Sequence, residues 1–254
     1  MVNKSEDIFS VKNYSVIVTG ASRGIGMAIA QGLNDAGAEV FGVGRSITPE
    51  NNNKISYNYK QCDVTNTAAF NELCEFIFEK TGGINILVNA AGTSIVEHES
   101  VDYLTNFDDT LSINLRAAYS CCKIVSDYMT RSGGGSIINI TSINSMMGFP
   151  DNPAYVASKG GLRMLAKALA IDYSNRNIRV NCIAPGYIRT VMTKESYNDK
   201  EKREHRTKHT ILGRWGNPED LVGATIFLAS NASSYITGID LFVDGGWSAK
   251  GISE

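Results

Sequence analysis

Seven short apolar runs alternate with helical segments along the whole chain, and that order leaves few folds open. The runs are YSVIVTG (Tyr14 to Gly20), AEVFGVG, a strand within ISYNYKQCDV, INILVNAAG, GGGSIINITS, IRVNCIAPG and ITGIDLFVDGG. The first, rich in β-branched residues and ended by glycine, reads as a short buried strand. Between the runs apolar residues recur at helical spacing: Ile25, Ala28, Ile29 and Leu33 before a stop at Gly37, then Phe70, Leu73 and Ile77. A long helix is expected from about Asn106 to Met129, and two more in NPAYVASKGGLRMLAKALAIDYS and PEDLVGATIFLAS. Near-continuous apolar strands separated by helices call for a parallel sheet covered on both faces.

The first strand leads into VTGASRGIGMAIA, with Gly20, Gly24 and Gly26 spaced G-x-x-x-G-x-G. Glycines alone are as compatible with a bare turn as with a ligand site. Strand, glycine loop, helix and second strand together make the βαβ unit that a nucleotide pyrophosphate needs. The glycines let backbone approach the phosphates, and free N–H groups at the helix start face the anion.

Composition removes other classes. The 254 residues are 43% hydrophobic and 20% charged, with a formal net charge of −2. Nothing favours nucleic acid or an anionic membrane as partner. No apolar run reaches a spanning length, and the N-terminal residues read as neither a signal nor a transit peptide. The five cysteines, Cys62, Cys74, Cys121, Cys122 and Cys182, show no C-x-x-C and read as reduced thiols of a cytoplasmic protein. Asn51 to Asn53 read as a solvated loop. One domain, residues 1–254, is expected.

A polar stretch from Tyr187 to Arg214 breaks the alternation and carries four more basic than acidic side chains. Following a strand's C-terminal end, it lies where doubly wound folds bind ligands, and it is expected to be a mobile lid with short helices. Its two histidines, His205 and His209, together with His98, lack a third-ligand pattern, so no metal site is expected.

The sharper chemistry lies in AYVASK, where Tyr155 and Lys159 stand at i and i+4 on one helix face. A phenol loses its proton near pH 10, and a cation held close favours the phenolate, so the pair can act as an acid/base nearer neutrality. Ser142 ends the strand before this helix and can donate to a developing oxyanion. Asn114 is a polar residue among apolar neighbours within a helix.

The ordered set TGASRGIG, CDVT, NAAG, Asn114, Ser142, Y155-x-x-x-K159 and PGYIRT resembles the short-chain dehydrogenase/reductase family, from about Val11 to Trp247. The resemblance implies an α/β doubly wound Rossmann fold with a single seven-stranded parallel sheet, NAD(P)(H) as cofactor and alcohol–carbonyl interconversion. It makes Tyr155 the general acid/base and gives Lys159 the task of lowering its pKa and holding the nicotinamide ribose. Ser142 would polarise the carbonyl, and Asn114 would kink its helix and hold a water leading from Lys159 to solvent. Gly20, Ser22, Arg23, Gly24, Ile25 and Gly26 would line the adenosine–pyrophosphate site. Asp63 and Val64 would meet the adenine, and Asn89, Ala90 and Gly92 would flank its ribose. Pro185 and Gly186 lead to Ile188 and Thr190, which would reach the nicotinamide amide. The family's N-N-A-G reads NAAG here, with Ala90 in the second position, which weakens a structural support and leaves the catalytic set intact.

Between the two nicotinamide cofactors, the end of the second strand decides. An NAD site carries an acidic residue there to accept from the ribose 2′-OH. Here the place falls at Gly44, followed by Arg45 and Ser46, with Arg23 in the glycine loop. Two guanidiniums and a hydroxyl suit a 2′-phosphate, so NADP(H) is favoured and NAD(H) is the alternative.

Thr93, Ser94, Asn144, Ser145, Asn152 and Tyr187 would give a polar substrate rim. With the basic lid this suits a small sugar acid or polyol, and the C-terminal tail is similar to family members such as gluconate and 2-deoxygluconate dehydrogenases. The alternative is a 3-oxoacyl–carrier-protein reductase, its basic lid receiving an acidic carrier protein. A non-enzymatic dinucleotide sensor or scaffold is the rival class. The family also implies a homotetramer built on the two long helices that hold Leu115, Ala118, Ile124 and Val125, and Leu162, Leu165, Ala166 and Leu169.

Overall fold

The computed structural model describes residues 7–50, 54–96 and 102–251; His98 and the Asn51 to Asn53 run lie outside the described residues. Its seven strands are β1 (Ser15–Thr19), β2 (Glu39–Gly44), β3 (Asn58–Gln61), β4 (Ile86–Asn89), β5 (Gly135–Ile140), β6 (Ile178–Pro185) and β7 (Asp240–Val243). They form one sheet in the order β3-β2-β1-β4-β5-β6-β7, and every pair is parallel. Each expected strand is present, and the fold is the doubly wound Rossmann sheet. The chain winds outward from β1 to β3, then returns to β4 on the other side of β1. That reversal opens a crevice at the carboxyl ends of β1 and β4.

The helices are α1 (Gly24–Asp35), α2 (Thr67–Thr81), α3 (Tyr103–Leu111), α4 (Ala118–Arg131), α5 (Pro153–Asp172), α6 (Lys194–Asn198), α7 (Lys200–His209) and α8 (Val222–Ala229). Two cores result, one on each face of the sheet. Val16 and Val18 of β1 pack with Ile29 and Leu33 of α1 and Leu228 of α8. Ile17, between them in sequence, joins Phe70, Val125, Met129 and Leu169 on the opposite face. Alternate β1 residues thus feed different cores, as the period of a strand requires. Each such side chain, fully buried, contributes about 1.5–3 kcal/mol.

One helix differs from its expectation. The stretch expected as a single helix from Asn106 runs from Tyr103 to Arg131, but Ser112–Ala117 is wound as a π-helix between α3 and α4. The wider turn inserts a residue and re-aims the side chains that follow. Asn114 lies inside this turn and is fully buried. Sequence periodicity does not reveal a π-turn, because the apolar spacing on either side stays helical.

The Tyr187 to Arg214 stretch contains the two short helices α6 and α7, neither with a buried residue. Asp199 starts α7 by accepting from the Lys202 N–H at 3.1 Å. Of the apolar residues on the two long helices, Ala118, Val125, Leu162, Ala166 and Leu169 are buried, and Val125, Ala166 and Leu169 join the core on one face of the sheet. Leu115, Ile124 and Leu165 are only partly covered, and Tyr119 and Met164 are exposed beside them. No helix among the described residues is long and apolar enough to cross a membrane, and the five cysteines are unpaired and buried.

Candidate active site

The glycine loop is shaped by backbone contact. Gly20 sits at φ +69, and a Cβ there would come 2.7 Å from the Ala91 backbone. A Cβ on Gly26 would come 2.3 Å from the Gly20 carbonyl oxygen. Only glycine lets α1 start this close to the end of β1. Thr19 fastens the loop to the end of β4, its hydroxyl accepting from the N–H groups of Ala90 (3.1 Å) and Ala91 (3.2 Å).

The start of α1 carries no capping side chain: Arg23 holds the N-cap position in an extended conformation, without a side-chain hydrogen bond. The first turn also has no acidic residue. Unsatisfied N–H groups at an uncapped helix start, in a cradle that any Cβ would fill, suit an anion approached by backbone. Gly20, Ser22, Arg23, Gly24, Ile25 and Gly26 all line one cleft here. The residues present therefore fit a pyrophosphate.

The same cleft extends to both sides. At one end Gly44, Arg45, Ser46, Asp63 and Val64 line it, and the Asp63 carboxylate is oriented by Thr65, whose N–H (2.9 Å) and hydroxyl (2.8 Å) both donate to it. Ala90 and Gly92 lie along its floor, and Pro185, Gly186, Ile188 and Thr190 along the far wall. Ser142, Tyr155 and Lys159 close the other end. The expected residues that do not line it are Asn89, Asn114, Thr93, Ser94, Asn144, Ser145, Asn152 and Tyr187.

Asn89 is buried beneath the cleft, donating to Asn139 Oδ1 at 2.9 Å and to Cys122 Sγ at 3.2 Å. Its side chain lies outside the cleft lining. Asn152 and Ser94 are joined at 2.7 Å, one turn of helix before Tyr155. Tyr187 packs its ring against Trp215, Trp247 and Phe149. Sequence reasoning missed Val43, Cys62, Ala91, Ile113, Ile140, Thr141, Val191, Met192 and Thr193 on the cleft wall. All of them stand within three residues of expected site residues, Ile113 directly beside Asn114, so widening each motif by that much would have found them.

The three polar groups at the closed end come from two elements. β5 ends two residues before Ser142, whose backbone is extended and whose hydroxyl accepts from the Asn144 N–H at 3.1 Å. Pro153 opens α5, placing Tyr155 in its first turn and Lys159 one turn further. Lys159 is 5% exposed. Its Nζ donates to the Ile140 carbonyl at 2.8 Å and lies 5.7 Å from the Tyr155 ring centre. Asn114 is locked behind them: its Oδ1 accepts from the Thr93 N–H (2.8 Å), and its Nδ2 donates to the Thr93 carbonyl (2.9 Å) and to Ser158 Oγ (3.0 Å). A Cβ on Gly92 would meet Asn114 Oδ1 at 3.3 Å and Lys159 Nζ at 3.6 Å. The glycine thus leaves a small polar space between amide and ammonium.

Burial pushes the Lys159 ammonium down to about 8. Burial pushes the Tyr155 phenol up, with the nearby Ser142 hydroxyl acting against it. The Lys159 ammonium is turned to the Ile140 carbonyl.

The lysine also carries a stability cost. Its folded-state value of about 8 lies below the ordinary 10.5. The cost is fully present below pH 8, where the native state holds a buried charge, and fades as pH rises towards 10.5. Lys159→Met is therefore expected to be about 1–3 kcal/mol more stable than the parent at pH 7, with the gain shrinking above pH 8. Urea unfolding at pH 7 and pH 9.5 measures it, and an unchanged or lower stability at pH 7 would refute the burial penalty.

The sequence matches, over residues 20–248, a family model described as enoyl-(acyl carrier protein) reductase. It is 36% identical over 247 residues to gluconate 5-dehydrogenase of Gluconobacter oxydans, covering 94% of this chain and 96% of that protein. It is 38% identical over 245 residues to a 3-oxoacyl-[acyl-carrier-protein] reductase of Chlamydia muridarum, covering 92% and 97%. Its fold superposes with a TM-score of 0.89 on a gluconate 5-dehydrogenase of Burkholderia cenocepacia crystallised with NADP and tartrate, at 31% identity over 96% of this chain and 99% of that one.

Proposed function

From the premise that this chain belongs to the short-chain dehydrogenase/reductase family and is a nicotinamide-dependent oxidoreductase, we propose that it interconverts a secondary alcohol and a ketone on a small sugar acid, preferring NADP(H). The bound cofactor would supply or accept the hydride. Gly20, Ser22, Arg23 and the start of α1 would hold its pyrophosphate, Asp63 and Val64 its adenine, and Ile188 and Thr190 its nicotinamide end. In reduction, the Ser142 hydroxyl donates to the substrate carbonyl, stabilising the charge that develops on its oxygen. Tyr155 donates the phenolic proton to that oxygen. Lys159 holds a positive charge beside the phenolate that is left, and Asn114, with the space at Gly92, supports a water that returns the proton.

The observation that carries the substrate class is a set of arginines in the polar stretch. Arg206 lies 4.4 Å over the Tyr187 ring, Arg189 4.5 Å over Tyr197, and Arg203 5.5 Å over Tyr197. None of the three pairs with a carboxylate among the described residues. Guanidiniums held on aromatic faces and left unneutralised favour an anionic substrate. The gluconate 5-dehydrogenase relatives support a sugar acid. Cofactor preference rests on Arg45 and Ser46 lining the cleft, with no carboxylate at the end of β2.

A homotetramer in the cytoplasm completes the reading. Leu115, Tyr119 and Leu165 line one surface depression beside Asp108, Asp109 and Arg116, which would offer a two-fold contact. The unpaired thiols suit a reducing compartment.

Steady-state assays with NADPH and a panel of keto sugar acids and acetoacetyl thioesters test the proposal. Higher kcat/KM on a keto sugar acid is expected. Reduction of the thioester with no turnover of any sugar acid would make the chain a 3-oxoacyl–carrier-protein reductase, and no turnover of either class would favour a sensor or scaffold.

A further inference from the structure

β2 and the segment around β3 fit together through a matched pattern. FGVG puts Gly42 and Gly44 two residues apart, and SYNY puts Tyr57 and Tyr59 two apart. In the parallel pairing Gly42 lies opposite Tyr59, so these positions share one face of the sheet. A Cβ on Gly42 would come 2.4 Å from Tyr57 Cε2, and one on Gly44 would come 2.5 Å from Tyr59 Oη. Neither glycine has a positive φ. They are glycine to make room for two tyrosines.

The tyrosine hydroxyls are spent on the cofactor cleft. Tyr57 donates to the Ala21 carbonyl at 2.7 Å, bracing the glycine loop from below. Tyr59 donates to the Ser46 carbonyl at 2.9 Å, and Gln61, next on that face, donates to the Arg45 carbonyl at 3.0 Å. The space beyond Gly44 is closed on its other side by Ser22, whose Cβ would stand 3.1 Å from the added atom. The Tyr59 hydroxyl therefore stands where the side chain of an acidic residue at the end of β2 would begin.

We infer that Tyr59 is a specificity-determining positioning residue. Its hydroxyl excludes a carboxylate at position 44 and fixes the backbone of Arg45 and Ser46 for a 2′-phosphate. The inference rests on the NADP(H) reading of the cleft. It also changes how the cofactor preference can be altered: Gly44→Asp alone has no room to accept from a ribose, and the exchange needs Tyr59 to give way first.

Fluorescence titration of NADPH and NADH, with a thermal melt, on the full-length parent, Tyr59→Phe, Gly44→Asp and the double variant tests this. Tyr59→Phe keeps the ring and removes only the hydroxyl. It is expected to raise the NADPH dissociation constant about threefold to tenfold, the scale of one neutral hydrogen bond, and to leave NADH binding and Tm unchanged. A merely structural role would move both cofactors together, or Tm. Gly44→Asp alone is expected to weaken both cofactors, while the double variant binds NADH more tightly than either single variant, a coupling that independent sites would not show. Equal loss of both cofactors in Tyr59→Phe, no loss in either, or tighter NADH binding in Gly44→Asp alone would overturn the inference. If the parent itself binds NADH more tightly than NADPH, the cofactor reading fails, and the phosphate-positioning role of Tyr59 fails with it.

Discussion

Tyr155→Phe is expected to lower kcat for ketone reduction by about 10²–10⁴-fold, the range removed with a positioned general acid. The variant keeps the ring in the first turn of α5 and loses only the hydroxyl. No hydrogen bond that holds the fold depends on that hydroxyl: Ser158 bonds to the Tyr155 backbone carbonyl, and Lys159 to the Ile140 carbonyl. The NADPH dissociation constant and Tm should therefore stay close to those of the parent. Single-turnover reduction followed by cofactor absorbance separates the two quantities. Near-full activity in the variant would remove Tyr155 from the chemistry and leave Ser142 and solvent to provide the proton.

The second large effect falls on cofactor choice. Arg45 follows β2 directly, and its backbone carbonyl is anchored by Gln61 at 3.0 Å. The side chain lines the cleft and pairs with no carboxylate among the described residues. A guanidinium fixed at its root and free at its tip suits parallel donation to a phosphate. Arg45→Ala should weaken NADPH by about 1.5–3 kcal/mol, the worth of a hydrogen bond to a charged group, or roughly 10- to 150-fold in dissociation constant. NADH lacks the phosphate and should bind almost as before. Titrating the variant with both cofactors decides it, and a matching loss for NADH would place Arg45 on a part of the nucleotide common to both.

Much of this architecture was legible in the sequence because its cause is local. Val16, Ile17 and Val18 are apolar on both faces of β1, which only a covered parallel sheet explains. Gly20 and Gly26 mark the loop because backbone contacts exclude any larger residue. Tyr155 and Lys159 share a face because they are one turn apart. What stayed hidden depends on contacts between distant segments. Asn89 stands in a motif next to true cleft residues, yet its side chain points down to Asn139 and Cys122, since successive strand residues face opposite sides. The π-turn at Ser112–Ala117 leaves no mark on apolar spacing. The burial that raises the Tyr155 pKa and the turn of the Lys159 ammonium to the Ile140 carbonyl are not written in Y-x-x-x-K. The glycines of β2 were visible, but their partners in SYNY acquire meaning only once β3 lies beside β2.

Reduction of a sugar-acid ketone takes a hydride directly from the cofactor at the Ser142–Tyr155–Lys159 end of the cleft in the proposed reaction. Its most direct test uses NADPH deuterated at both C4 positions, a keto sugar acid such as 5-ketogluconate, and mass spectrometry of the product. One deuterium is expected on the newly formed carbinol carbon in every product molecule, with loss of that labelled product in Tyr155→Phe. Product formed without deuterium at that carbon, or labelled product formed equally fast by the variant, would contradict it.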